Sequence, residues 1–237
     1  MSTLRTLPWA KFGFEGVLIV VSILAAFWID SWRDDRQLAT EEQELLRQLK
    51  AEFEVNIDLL AERRSQHAAN QAAARNLLSA TGPKPNTAVL ATEDLGKNLL
   101  RMLQWWTFDP QTGVLTGMIQ SGKLSVISSD SLRTNLASWP ARLQDLTEDE
   151  LYLAGFTKDL IYPVLHPTTA MRNFVLMPNV GPSAFPDNSE QLLRNRQFEN
   201  VVIQKLAMEE ELLDIYDDIG AHIDSTVALI EKEIGIE

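Results

Sequence analysis

The chain has 237 residues, with 21 Lys and Arg against 33 Asp and Glu, a formal charge of −12 and no cysteine. That balance argues against nucleic acid as a partner, because duplex binding rests largely on cations that neutralise phosphates. Without cysteine there are no disulfides, thiolate zinc sites, iron-sulfur clusters or covalent c-type haem, and the compartment stays open.

Residues 1–11 read as a short N-terminal tail in which Thr6-Leu7-Pro8 begins a helix, Thr6 capping and Pro8 sitting in the first turn, where its missing N–H has no intrahelical acceptor to lose. Residues 12–32, FGFEGVLIVVSILAAFWIDSW, are the most apolar stretch of the chain and are expected to be a transmembrane anchor. Phe12 to Ile29 would measure about 27 Å as a helix, close to a hydrocarbon core of roughly 30 Å. The uninterrupted part, Gly16 to Ile29, alone has the length of a buried core helix or a signal-peptide core, so the flanks decide. Trp9 stands on one side and Trp28 and Trp32 on the other, as indoles do near headgroups, and Ala25-Ala26-Phe27-Trp28 offers no small-x-small cleavage site. Glu15 falls near the first interface, where an acid snorkels or caps. Ser22, Ala25 and Ala26 form a small-residue face that suits either lipid or a second helix. The span has no histidine for a haem.

Lys and Arg are nearly balanced across the anchor: Arg5 and Lys11 precede it, Arg33 and Arg36 follow. The short leading tail suits an uncleaved signal-anchor. The expected setting is a bacterial inner membrane, with the N-terminus cytoplasmic and the C-terminal domain periplasmic.

Residues 33–237 are expected to be an extramembrane helical bundle. No Pro or Gly interrupts Arg33 to Ser79, where Leu46, Leu49, Phe53, Ile57 and Leu60 make one stripe that thins to Ala68, Ala69, Ala72, Ala73 and Ala74. The anchor should run straight into this helix. His67 is a lone histidine, read as a surface or packing residue, and Thr81 to Asn86 stops the helix. A second helix should start at Thr92-Glu93-Asp94 and reach the Trp105-Trp106 pair, read as core plus one half-exposed ring. After a turn at Phe108 to Gly113, a short helix from Val114 should end at Gly122.

Gly117 to Leu124 approaches the phosphate-loop pattern but has Leu124 where a Mg²⁺-binding hydroxyl is needed, and no buried strand precedes it; the reading is a left-handed helix end at Gly122. Ser128-Ser129-Asp130 then begins a helix that Pro140 kinks rather than ends, with apolar rhythm through Ile161. Residues 162–187 are a Pro-rich loop too apolar for a free linker, hence packed or a docking surface, and His166 within it is a satisfied loop histidine. The last helix should run from about Ser189 to Ile234 with Val202, Leu206, Leu213, Tyr216, Ile223, Val227, Ile230 and Ile234 in one seam, antiparallel to the Arg33–Ser79 helix. Glu210, Asp214, Asp218 and His222 form a column read as a solvated acidic face rather than a metal stripe.

Residues Glu15 to Trp32 resemble the anchor of a bacterial domain-of-unknown-function family of single-span proteins. That anchor reads Gly-Glu-x-x-Leu-Val-Val-x-Gly-Ile-Leu-Ile-Ala-Leu-x-Ile-Asn-Asn-Trp and leads into a long charged helix. The similarity continues in Ser121-Gly122-Lys123-Leu124-Ser125-Val126-Ile127 and Leu132-Arg133. The chain differs in Phe14 for the first Gly, in Asp30-Ser31 for Asn-Asn, and in the Pro-rich stretch. The resemblance implies an anchored helical domain and brings no catalytic residues with it.

The expected fold is therefore all-α: an N-terminal transmembrane helix continuing into an antiparallel helical bundle with a Pro-rich loop. Three isolated histidines and no cysteine nominate no catalytic set, metal site or cofactor. The expected role is a non-catalytic accessory subunit docked on a larger membrane complex, respiratory or photosynthetic, with the lipid bilayer and other membrane-protein subunits as partners. Ser22, Ala26, Phe174, Met177 and Phe185 are the candidate contacts, and Trp9, Phe12, Glu15, Trp28 and Trp32 the anchor residues. The alternative is a periplasmic ligand-sensing domain that signals through a partner, with Trp105, Trp106 and Trp139 as pocket walls.

Overall fold

The computed structural model describes residues 9–90, 95–175, 178–186 and 188–235, with the side chains of residues 9–14, 16, 89, 90 and 189 left out of the description. The protein is all-α, with no strand among the described residues. Helix α1 runs unbroken from Trp9 to Ala80, 72 residues or about 108 Å, because no proline stands in it and its glycines lie near the start. The Thr6-Leu7-Pro8 start lies outside the described residues.

From Val17 to Thr40 every side chain of α1 is exposed. The bundle begins at Glu41, where three consecutive residues are tied down. Glu41 pairs with Lys123 at 2.7 Å, Glu42 Oε1 accepts from the backbone N–H of Ser128 at 2.6 Å, and Gln43 Nε2 donates to the Glu233 carbonyl at 3.0 Å. Among the described residues no helix is long and apolar enough to cross a membrane. The described, uninterrupted apolar run is Val17 to Ile29, about 20 Å of helix, with Asp30, Arg33 and Asp34 beyond it. The span expected over residues 12–32 is thus not supported by the described residues.

The remaining helices are α2 (Leu95–Met102), α3 (Gly113–Ser121), α4 (Asp130–Phe156), α5 (Tyr162–Leu165), α6 (Ser189–Leu193) and α7 (Arg196–Ile234). Helix α7 lies antiparallel along α1, as expected: Gln43 meets Glu233, Lys50 meets Glu231 at 2.8 Å, Arg64 holds Asp217 through two bonds and Arg75 pairs with Glu210. The last helix is divided where a single one was expected. The chain turns at Arg194-Asn195, and Asn195 caps α7 by accepting from the Gln197 N–H at 2.8 Å, which satisfies one of the free amides of the new N-terminus. Helix α3 ends as expected at Gly122, whose φ of 73° is the left-handed conformation glycine tolerates best. Helix α4 passes through Pro140 and gives way to a π-helical turn at Thr157–Ile161 before α5.

Two apolar cores stack along the long axis. The one nearer the exposed part of α1 gathers Leu46, Leu49, Phe53 and Leu60 with α3, α4 and the Leu212–Ile230 part of α7. Trp139 lies in it at 5.4 Å from Phe53, which removes it from the pocket expected beside Trp105 and Trp106. Ile57 was expected in the stripe and is 36% exposed, while its neighbour Asn56 is buried. The far core gathers Ala74, Leu77 and Ala80 with α2, Phe156 to Leu165, α6 and the first turns of α7. Residues 162–187 pack partly against it through Tyr162, Val164, Leu165, Met171 and Phe174. They contain α5 and a 3-10 turn at Met171–Asn173, so the first half of the stretch is packed, whereas residues 178–182 and 184–186 are exposed.

Candidate functional site

Between the two cores runs a layer of buried polar side chains. Helix α2 stops at Met102, earlier than the expected end at Trp105-Trp106, and its expected start at Thr92 to Asp94 lies outside the described residues. The connection from Leu103 to Thr112 has no regular structure and is laid along α1, so its backbone groups need partners from elsewhere. They come from one polar stripe of α1. Asn70 Nδ2 donates to the Gln104 carbonyl at 3.2 Å, His67 Nε2 meets the Trp106 carbonyl at 3.2 Å and Arg63 Nε donates to Thr107 at 3.0 Å. Asn56 exchanges two bonds with Gln111, at 2.8 and 2.7 Å. Glu52 accepts from the backbone N–H groups of Val114 and Leu115 at 2.6 and 3.1 Å, so a carboxylate from α1 caps the start of α3. These bonds explain the early end of α2: carbonyls served by side chains no longer need a helix.

The centre of the layer is Glu209, fully buried on α7. It receives Lys205 Nζ at 3.1 Å, Asn70 Nδ2 at 3.3 Å and His67 Nδ1 at 2.7 Å. Lys205 is equally buried and also donates to Thr157 Oγ1 and the Gln104 carbonyl. Burial lowers the Lys205 ammonium pKa, and the adjacent Glu209 carboxylate opposes that. The His67 ring thus bridges the Glu209 carboxylate and the Trp106 carbonyl, and its tautomer sets which nitrogen donates. His67 is thus a fully buried, bonded packing residue, not a surface one.

Beside it the Tyr216 ring lies 5.3 Å from that of His67, and its hydroxyl donates to Glu150 Oε1 at 2.5 Å, which also accepts from the Phe108 N–H at 2.9 Å. Burial raises the Glu150 carboxyl pKa, the two donated bonds opposing it, and burial also raises that of the Tyr216 phenol. Glu150 Oε2 has no partner among the described residues. None of His67, Glu209, Lys205 or Glu150 reaches solvent, so what this cluster acts on is the backbone it holds, namely Gln104, Trp106 and Phe108.

The held segment carries Trp105 and Trp106 into the wall of a solvent-open cavity of about 310 Å³, completed by Leu100, Leu103, Tyr162, Met171 and Val175. Lys158 Nζ lies 4.8 Å from the Trp105 ring centre, and the Arg63 guanidinium 5.6 Å from that of Trp106.

The expected contact residues are not brought together. Glu15, Ser22, Ala26, Trp28 and Trp32 are exposed on the free part of α1, with Arg36 stacked 4.1 Å over Trp32. The side chains of Trp9 and Phe12, and Met177 entirely, lie outside the described residues. Phe185 is 79% exposed, whereas Phe174 is half-buried against the far core. Near the cores, the Glu210 to His222 column does not form one face: each four-residue step advances about 40° around the helix, carrying the row from exposed Glu210 to buried His222, which stacks on Trp139 at 5.5 Å. No group of His, Asp and Glu able to hold a metal exists among the described residues. His166 is exposed and stacks on Tyr162 at 5.3 Å.

The polar stripe was in the sequence but unread. Glu52, Asn56, Arg63, His67 and Asn70 recur at spacings of four, seven, four and three along α1, interleaved with Leu49, Phe53 and Leu60. Polar residues at helical spacing inside an apolar stripe announce a buried network. No family model matches the chain, and neither the curated proteins nor the solved structures give a match.

Proposed function

We propose that the chain is a single-span membrane protein whose helical body docks on a larger membrane assembly as a non-catalytic accessory subunit. One observation carries this reading: Val17, Leu18, Ile19, Val20, Val21, Ile23, Leu24, Phe27, Trp28 and Ile29 are all at least half exposed, on every side of α1, with nothing among the described residues to cover them. A helix apolar all round is stable when buried in protein or in lipid, and not in water. The helix extends back to Trp9, so residues 9–29 measure about 31 Å, enough for a hydrocarbon core if the Phe and Gly residues at 12–14 and 16 lie in it. The resemblance of Glu15–Trp32 to the anchor of a single-span family agrees with this.

In this reading the bilayer takes the segment over residues 12–32. Ser22 and Ala26 face lipid or a neighbouring helix, and the charged run after Ile29 stands at the membrane surface. The setting is a bacterial inner membrane with the body periplasmic. The partner is another membrane-protein subunit, and Phe185, exposed on the Pro-rich stretch, is the contact.

Membrane fractionation tests the anchor. The full chain should pellet with membranes and resist an alkaline carbonate wash, while a version lacking residues 1–40 should stay in solution with an unchanged melting curve. Full-length protein found in the aqueous fraction without detergent would overturn the reading. For the docking, size-exclusion chromatography in mild detergent should show the chain inside a larger assembly, and recovery as a lone monomer counts against it. Protease added to intact spheroplasts should reach the body.

A further inference from the structure

Helices α4 and α7 lie antiparallel, since Asn135 bonds Ser225 towards one end and Lys205 bonds Thr157 at the other. Midway along one side of the pair is a hollow of about 40 Å³. Buried Leu153 and Leu212 form its floor, half-buried Met208 and Ile215 and the 70% exposed Tyr152 its walls, and Asp149 and Glu211 its rim. An open aromatic ring beside a small apolar hole with a charged border has the anatomy of a protein contact: an anchor, a pocket for one side chain and a polar rim.

The rim names the partner's chemistry. Asp149 and Glu211 are exposed and make no ion pair among the described residues. By helical spacing Asp145, one turn before Asp149, and Asp218, one turn after Ile215, extend the same faces, and they too are exposed with no ion pair among the described residues. The charge of Arg142 reaches His222, beyond Asp218, and is paired with none of the four acids. Where α7 faces α1 the surface acids do have cations: Glu231 has Lys50, Asp217 has Arg64 and Glu210 has Arg75. An acidic face on a chain of charge −12 repels a second copy of itself, anionic lipid and nucleic acid. Two helices side by side leave a groove that takes the ridge of a third, and no sheet edge exists among the described residues for an extended segment to join.

We propose that the α4–α7 face, apart from the Phe185 contact, docks a basic amphipathic helix of the partner subunit. One aliphatic side chain of that helix enters the hollow against Tyr152, Met208 and Ile215, and its Lys and Arg side chains meet Asp145, Asp149, Glu211 and Asp218. This deepens the accessory-subunit reading and rests on it for the existence of a partner. Asp217, beside this face, holds Arg64, about 52 Å along α1 from Ile29. The docking helix therefore belongs to an extramembrane part of the partner, a point that rests on the anchor as well.

The test places p-benzoylphenylalanine at Tyr152 of the full chain in intact cells with their native membranes, and again at exposed Gln191 on α6 as a control. After irradiation, tandem mass spectrometry should find the Tyr152 position joined to a helical, Lys- and Arg-rich peptide of another membrane protein that the Gln191 position does not capture. Asp149→Lys with Glu211→Lys should cut that adduct at least tenfold with melting unchanged. The milder pair Asp149→Asn with Glu211→Gln should lower it about fivefold, the worth of solvent-screened rim charges, and serves if the reversal does not fold.

An adduct with a peptide of this same chain, with lipid alone or with a peptide lacking excess Lys and Arg overturns the proposal, as does the same adduct at both positions or none at Tyr152. An adduct undiminished by either pair overturns its ionic part. Failure at Tyr152 while the chain still elutes in mild detergent within a larger assembly sinks this face alone and leaves the accessory-subunit reading standing. A lone monomer in detergent that nevertheless gives the basic adduct in cells sinks the stable-subunit reading and keeps the face.

Discussion

His67 on α1 and Glu209 on α7 meet at 2.7 Å with neither side chain exposed, although 142 positions separate them. This contact fixes the register of the two long helices, because sliding either by one turn would leave a buried carboxylate facing apolar side chains. Lys205, one turn away from Glu209 on α7, shares the same carboxylate, so the layer is balanced only as a set.

Removing one member should therefore cost more than removing the pair. Glu209→Ala leaves Lys205 buried without its counter-ion and is expected to lower unfolding stability by about 3 kcal/mol or more. The double variant Lys205→Met, Glu209→Leu should recover much of that loss. Urea unfolding of the four species in a double-mutant cycle reads the coupling, and strictly additive losses would contradict the account.

Glu52 reaches from α1 to the second and third amides of α3. Glu52→Ala should cost about 1 kcal/mol, the usual worth of an N-cap, with the effect concentrated at one place. Hydrogen exchange should quicken most at Val114 and Leu115. Glu52→Gln, which keeps one acceptor oxygen, should lie between.

The pH dependence has two opposing parts. Burial, aided by the charge of Arg142, lowers the His222 pKa from its usual 6.5. The unfolded chain then binds the proton first as pH falls, so this residue's share of stability is complete above 6.5 and lost progressively below it. His222→Phe keeps a ring against Trp139 and removes a buried ring nitrogen that has no partner among the described residues. Its acid limb should be flatter than the parent's in denaturant midpoints measured from pH 7.5 to 5.

Glu150 works in the other direction. Burial raises its pKa above the usual 4.5, so the folded state holds the proton more tightly than the unfolded one. Stability is then greatest below 4.5 and declines as pH rises through the raised value. Glu150→Gln keeps an oxygen for the Tyr216 hydroxyl and the Phe108 N–H without the charge. Its advantage over the parent should grow with pH from 4.5 upward, reaching about 1 kcal/mol. A constant difference across that range would show that Glu150 is not desolvated as described.

Much of the architecture was legible in local pattern. An unbroken run without proline made α1, the three-and-four spacing of Leu46, Leu49 and Phe53 marked its buried face, Gly122 ended α3, and the apolar seam of the last helix foretold its antiparallel pairing with α1. Such features depend on propensity and periodicity within a turn or two, which the sequence states directly. The misreadings share one cause. Trp105-Trp106 left the helix and Trp139 left the pocket, because each was decided by a partner far away in the chain.

What the sequence by itself determined, then, is the long helical runs of α1, α4 and α7 and the apolar sleeve at the head of α1, since both follow from neighbours along one helix. Only the tertiary structure decided which polar residues are buried and what they hold. Hydrogen bonds such as those from Asn70, His67 and Lys205 to Gln104 and Trp106 span 34, 39 and 101 positions and arise only once α1 and α7 lie side by side. The burial that makes these charges costly, and so makes their placement specific, is a property of the packed bundle.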